Sequence, residues 1–121
     1  MKKVYTCFCT DIIHEGHLNI LNTAKELGYL VVGVLDDEAM IRYNRFPTIT
    51  REERVAMIEA LGRADEVVIQ KEIMYDNIVA QIKPDIIVHG DNWKSGPENC
   101  IRENVLGLME KTGGELLEIP Y

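Results

Sequence analysis

Two histidines, His14 and His17, frame Gly16 in the stretch DIIHEGHLNI (residues 11–20), where an apolar run passes into an amphipathic one. If a helix opens there, its first amides have no intrahelical partner and point outward. Together with the helix dipole they attract anions. Gly16 removes a side chain, so a phosphate can approach the backbone. Ring nitrogens of His14 and His17 can donate to phosphate oxygens, and as imidazolium they would stabilise charge that builds on a transferring phosphorus. The histidines stand at i and i+3, so H-E-x-x-H is absent, and a two-histidine metal site lacks an obvious third ligand. The alternative for both rings is a surface or capping role.

The elements around this stretch alternate between strand and helix. KVYTCFC (3–9), YLVVGVL (29–35), EVVIQ (66–70), DIIVHG (85–90) and ELLEI (115–119) read as strands. LNILNTAKEL (18–27), DEAMIRY (37–43), REERVAMIEAL (51–61), YDNIVAQIK (75–83) and PENCIRENVLGLMEKT (97–112) read as helices. Thr50 and Glu53 form a capping box for the third of these, and Pro97 suits the first position of the last. Strands that are near-continuous Val/Ile/Leu runs are buried on both faces, so the sheet is expected to be parallel. The fold class is α/β, a Rossmann-like doubly wound sheet of five strands in the order 3-2-1-4-5, in one domain over residues 1–121. Such sheets bind ligands beyond the carboxyl ends of the strands, where strand order reverses. CTDIIHEGH (9–17) and HGDNWKSG (89–96) follow the first and fourth strands, which are neighbours at that point, so both loops should face one crevice. Trp93, beside Gly90 and Asp91, is expected to line it.

Composition narrows the chemistry. A formal charge of -7 over 121 residues argues against a nucleic-acid binder. It leaves room for a small anionic ligand held by a few local cations. No apolar run approaches a membrane span, and the apolar stretch after the two N-terminal lysines is too short for a signal peptide, so the expected location is cytoplasmic. Three cysteines, Cys7, Cys9 and Cys100, have no C-x-x-C spacing, and buried free thiols are expected. G-x-G-x-x-G and G-x-x-x-x-G-K-[ST] are both absent.

With these residues the chain resembles the cytidylyltransferases of the HxGH-type nucleotidyltransferase superfamily. HEGH (14–17) matches the superfamily motif. TREER (50–54), RADEVVI (63–69) and IVHGDNW (87–93) match the smaller cytidylyltransferases in position and character. YNRFPTIT (43–50), VHGDNWKSG (88–96) and GGELLEIPY (113–121) look most like phosphonate cytidylyltransferases, including domains that accompany phosphoenolpyruvate phosphomutase. Polyol-phosphate enzymes, such as glycerol-3-phosphate cytidylyltransferases, are near relatives, and an adenylyltransferase would share the catalytic logic.

The resemblance implies transfer of CMP from CTP to a small phosphonate or phosphate acceptor, with pyrophosphate released and Mg2+ bridging triphosphate oxygens. It casts His14 and His17 as the transition-state histidines and Asp11 as the acidic residue near metal or nucleotide. Arg45 falls where relatives carry a cation facing the acceptor. Arg54 falls near the triphosphate, Asp91 and Trp93 beside the cytosine and ribose pocket with Gly90, and Gly62 and Ala64 on a turn approaching the base. Gly16 belongs to the nucleotide site as well. Phe8-Cys9-Thr10-Asp11 stands where relatives often read Gly-Thr-Phe-Asp, which puts Cys9 and Thr10 at the nucleotide. Relatives are homodimers, and the RADEVV region is expected near the contact. Relatives also continue past the last strand with a Gly-Ile-Ser-[ST]-Thr segment, whereas this sequence stops at Pro120-Tyr121. The 121 residues are therefore expected to fold, to keep the crevice, and to bind CTP weakly with little turnover, as a nucleotide-binding fragment would.

Overall fold

The computed structural model describes residues 1–9, 15–42, 46–96 and 98–120. In chain order the elements are β1 (Lys3–Phe8), α1 (Glu15–Leu27), β2 (Tyr29–Leu35), α2 (Asp37–Arg42), α3 (Arg51–Ala60), β3 (Glu66–Gln70), α4 (Asp76–Ile82) and β4 (Ile86–Gly90). A single 3₁₀ turn (Asp91–Trp93), α5 (Asn99–Thr112) and β5 (Glu115–Ile119) complete it. All strand pairs are parallel and the order is β3-β2-β1-β4-β5. That is the expected doubly wound sheet.

β1 lies at the centre, and its side chains alternate between two cores. Val4 and Phe8 pack with Ile20, Leu21 and Ala24 of α1 and Ile58 of α3. Tyr5 faces the opposite layer, with Ile78 and Val79 of α4 and Ile101, Val105 and Met109 of α5. Each such aliphatic side chain contributes roughly 1.5–3 kcal/mol on full burial. A strand sandwiched this way cannot slip by one residue without exchanging both cores.

One strand glycine is dictated by a close approach. The Tyr5 hydroxyl crosses beneath Gly33 of β2 and donates to Gln70 Oε1 at 2.6 Å. A Cβ on Gly33 would lie 1.9 Å from that hydroxyl oxygen. The Gln70 amide in turn donates to the Glu72 carbonyl at 2.7 Å, which fixes the chain where it leaves β3.

The capping box forms as expected: the Glu53 amide donates to Thr50 Oγ1, and the Thr50 amide donates to Glu53 Oε1. Two helix starts differ from the sequence expectation. α1 begins at Glu15, a turn before Leu18, because a carboxylate in the first turn suits the dipole. That shift brings Gly16 and His17 into the helix. α5 begins at Asn99 with Glu98 as its cap residue, and Pro97 lies outside the described residues. The thiols are also less hidden than expected: Cys7 and Cys9 are half-buried and Cys100 is exposed.

Candidate active site

The carboxyl ends of β1 and β4 meet at the point where strand order reverses, and a cavity of about 120 Å3 opens there. His17 reaches it from the first turn of α1, Cys9 from beyond β1, and His89, Gly90, Asn92 and Glu98 from the β4 side. Cys9 and His17 from the first marked stretch and His89, Gly90 and Asn92 from the second therefore border one crevice.

His17 is only 6% exposed. Its ring stands edge-on to Phe8, with centroids 5.2 Å apart and an interplanar angle of 75°. Phe8 is itself set by the β1 register, so the strand core orients the imidazole. Gly16 precedes it in the same helical turn. His14, Thr10, Asp11 and Arg45 lie outside the described residues.

Trp93 is 1% exposed and packs in the α4/α5 core with Tyr75 and Ile101. Sequence reasoning expects it on the crevice loop. The 3₁₀ turn that Asp91 begins carries the indole inward, where it borders a smaller cavity that adjoins the crevice and lies parallel to the His89 ring at a centroid distance of 3.4 Å and an interplanar angle of 2°. Its Nε1 donates to Glu118 Oε2 at 2.7 Å. Arg102 clamps the same carboxylate through Nε at 2.9 Å and Nη2 at 3.1 Å. Arg102 and the indole together hold Glu118 below the usual carboxylate range. Lys94 is exposed beside this turn.

His89 is the residue that sequence reasoning missed. The signal was present: a histidine next to the end of a buried parallel strand at the switch point. Its Nδ1 lies 2.8 Å from the Gly90 carbonyl. A carbonyl only accepts, so Nδ1 carries the proton. Burial pushes the His89 pKa below its ordinary value, against the opposing pull of that carbonyl and of Glu98 and Glu118. A neutral ring with a lone pair on Nε2 follows.

Two expected contributions move elsewhere. Arg54 is 1% exposed, donates through Nη1 to the Leu35 carbonyl at 2.8 Å, and pairs through Nη2 with Asp37. It ties α3 to the end of β2 and the start of α2, and it is not among the residues lining the His17 cavity. Gly62 and Ala64 precede β3, and the next residue, Asp65, donates from its amide to the carbonyl of Leu30 at the start of β2. In a parallel sheet this is the amino end, opposite the crevice, so the turn cannot approach a base bound there. Gly62 turns the chain with φ +69°, and Ala64 packs on the α1-side core.

Desolvation raises the Cys7 thiol well above its ordinary value, so Cys7 stays protonated. Among the described residues no group of three or more His, Cys, Asp or Glu side chains could hold a metal ion. No helix among the described residues is long and apolar enough to cross a membrane.

Comparison with known proteins places this arrangement. The family model described as cytidylyltransferase-like matches residues 5–110. The bifunctional protein HldE of Desulfatibacillum aliphaticivorans is 36% identical over 98% of this chain and 24% of its own length. The FAD synthase of Ferroglobus placidus is 36% identical over 74% of this chain and 59% of its own. The chain thus spans about a quarter of the length of the HldE relatives it matches. The crystal structure of the lipopolysaccharide core biosynthesis protein from Thermoplasma volcanium superposes with a TM-score of 0.83 at 28% identity, covering 100% of this chain and 98% of that one. A pantothenate synthetase from Thermus thermophilus shares the fold alone, at 14% identity and a TM-score of 0.69 over 99% of this chain and 56% of its own. The sheet order, His17 in the first turn of α1 beside the end of β1, and the family match over residues 5–110 converge: the chain belongs to the cytidylyltransferase-like family.

Proposed function

We propose that the protein is a cytoplasmic nucleotidyltransferase that joins a nucleoside monophosphate from a nucleoside triphosphate to an oxygen of a small phosphonate or phosphate acceptor. An acceptor oxygen forms the new bond to the α-phosphorus. The bond to the bridging oxygen breaks, and pyrophosphate leaves with the electron pair. The observation that carries the reading is His17, buried at the first turn of α1 on the crevice between β1 and β4. A donor held there without reorganisation stabilises charge on the transferring phosphorus. His14, Asp11 and Arg45 are assigned the transition-state, metal-proximal and acceptor-facing roles that the family resemblance implies. Mg2+ bound to the triphosphate would neutralise part of its charge.

CTP is the nucleotide of this reading, in line with the family match and the resemblance of HGDNW. A second reading, ATP, is favoured by the similarity to a FAD synthase, whose product contains adenine. For the acceptor, the resemblance of YNRFPTIT and VHGDNWKSG favours a phosphonate, while the similarity to a lipopolysaccharide core biosynthesis protein favours a sugar phosphate. Pyrophosphate release with CTP and with ATP, each paired with 2-hydroxyethylphosphonate, 2-aminoethylphosphonate, glycerol 3-phosphate and a hexose 1-phosphate, separates these. Slow turnover with CTP and a phosphonate is expected. Turnover with ATP alone moves the assignment to adenylyl transfer, and release from no pair overturns the reading. We further propose a homodimer formed near the RADEVV region, where β3 is an edge strand of the sheet. Light scattering at tens of micromolar should give twice the chain mass, and a monomer mass would refute it.

A further inference from the structure

A second cavity, of about 50 Å3, adjoins the first on the α4/α5 side of β1. His89 and Glu98 line both cavities. The second runs toward the ends of β2 and β3, where Leu35, Gln70 and Ile73 border it, and away from α1 and His17. At about 10–15 Å3 per water-sized group, it has room for roughly three to five such groups. That suits a short chain of heavy atoms and is too small for a nucleobase. Among its described lining residues none is a lysine or arginine, and Glu98 is an acid. The lining suits the uncharged end of a ligand better than its phosphate.

The polar atom His89 offers there is Nε2. Nδ1 is turned back onto the Gly90 carbonyl, and among the described residues no hydrogen bond reaches Nε2. Nor is Nε2 among the sealed, unpartnered side-chain atoms of the interior. The ring cannot rotate freely, because it lies flat on Trp93, the indole is pinned by Glu118, and Glu118 is held by Arg102. Three side chains from β5, α5 and the 3₁₀ turn thus fix one lone pair at the wall between two cavities. A preset acceptor of this kind selects for a hydrogen-bond donor and against an analogue that lacks it.

We propose that His89 is a specificity-determining residue whose Nε2 accepts a hydrogen bond from a hydroxyl on the acceptor substrate, seating its non-phosphate end in the cavity between β1 and α5. The assignment rests on the nucleotidyl-transfer reading for the word acceptor. The chemistry, a small hydroxyl-bearing ligand, rests on His89 and the cavity. Hydroxyls of the nucleotide ribose are the other source of the same chemistry. The small volume and the direction of the cavity away from His17 favour the acceptor.

The test compares matched ligands that differ by one hydroxyl: 2-hydroxyethylphosphonate against ethylphosphonate, and 3-hydroxypropyl phosphate against propyl phosphate. Binding is read by calorimetry in the presence of a non-hydrolysable CTP analogue, and turnover by pyrophosphate release. Wild-type protein should prefer the hydroxyl member of at least one pair by on the order of tenfold, the worth of one neutral hydrogen bond. His89→Phe keeps a ring on Trp93 but has no acceptor atom, so the preference should fall to about one, while affinity for the CTP analogue stays within about twofold. Binding that discriminates without turnover would sink the enzymatic reading and leave the hydroxyl site standing. No discrimination by the wild type, or discrimination retained in His89→Phe, overturns the proposal. A variant that loses CTP-analogue affinity instead assigns the hydroxyl to the nucleotide and overturns it as well. If His89→Phe does not fold, nitrogen NMR of the wild-type imidazoles decides. Nδ1 should read as protonated, and Nε2 should shift on addition of the hydroxyl ligand but not of its analogue. An unmoved Nε2 refutes the assignment.

Discussion

Replacing Glu118 by leucine tests the chain of contacts that orients His89. The carboxylate accepts one bond from the indole of Trp93 and two from Arg102. Leucine removes all three. The indole N–H belongs to a side chain 1% exposed, so it is left buried without a partner, at a cost of about 1–3 kcal/mol. The ion pair is partly open to water, with side chains 23% and 15% exposed, and its loss adds only about 1 kcal/mol. The total is about 2–4 kcal/mol. In a domain of this size each kcal/mol moves the melting temperature by roughly 3–5 °C, so Glu118→Leu should melt roughly 6–20 °C below wild type. Glu118→Gln keeps an acceptor for the indole and loses only the charge, so its drop should be roughly 3–5 °C. The assay is the thermal unfolding curve followed by tryptophan fluorescence. Trp93 is the only tryptophan, so every change in emission reports this site. A Glu118→Leu melt within about 2 °C of wild type would refute the reasoning. Equal losses for leucine and glutamine would show that the ion pair, not the indole bond, carries the stability.

His17→Ala should lower kcat roughly 10²–10⁴-fold with a smaller effect on nucleotide affinity, measured by pyrophosphate release and calorimetry; an unchanged kcat would remove His17 from the chemistry. Gly33→Ala should cost about 1–3 kcal/mol, because its Cβ would meet the Tyr5 hydroxyl at 1.9 Å. Adding Tyr5→Phe should recover part of the loss in the urea midpoint, and no recovery would mean that the clash lies elsewhere. Stability should also fall with acid in two stages. Burial holds the folded His89 pKa below its ordinary 6.5, so the unfolded chain takes that proton first and stability drops as pH falls below 6.5. Arg102 holds the Glu118 pKa below 4.5, so its contribution is present above that value and lost as pH falls through the folded one. Urea midpoints measured from about pH 8 to pH 3 check both, and His89→Phe should flatten the first descent.

The one-dimensional pattern carried most of the architecture. Five apolar runs separated by amphipathic segments can bury both faces only as a parallel sheet between helix layers, and that argument needs no coordinates. The capping box of Thr50 and Glu53 was equally local. The crevice was legible too, because topology alone brings the ends of β1 and β4 together. Direction and depth within that frame were not legible. Trp93 sits in a polar loop sequence, yet a single 3₁₀ turn carries it into the core, where Glu118, 25 residues away, satisfies its indole. The family resemblance casts Arg54 as a triphosphate ligand, but its guanidinium also bonds the carbonyl at the end of β2 and the Asp37 carboxylate. Gly62 and Ala64 are small residues on a turn, and only the parallel sense of the sheet shows that this turn lies at the wrong end for a ligand. His89 differs in kind. Its residue type was visible from the start, but its protonated nitrogen, its stacked ring and its open lone pair depend on Gly90, Trp93, Glu118 and Arg102. These residues are spread along the chain, so the tertiary fold had to bring them to one place before the histidine acquired a direction.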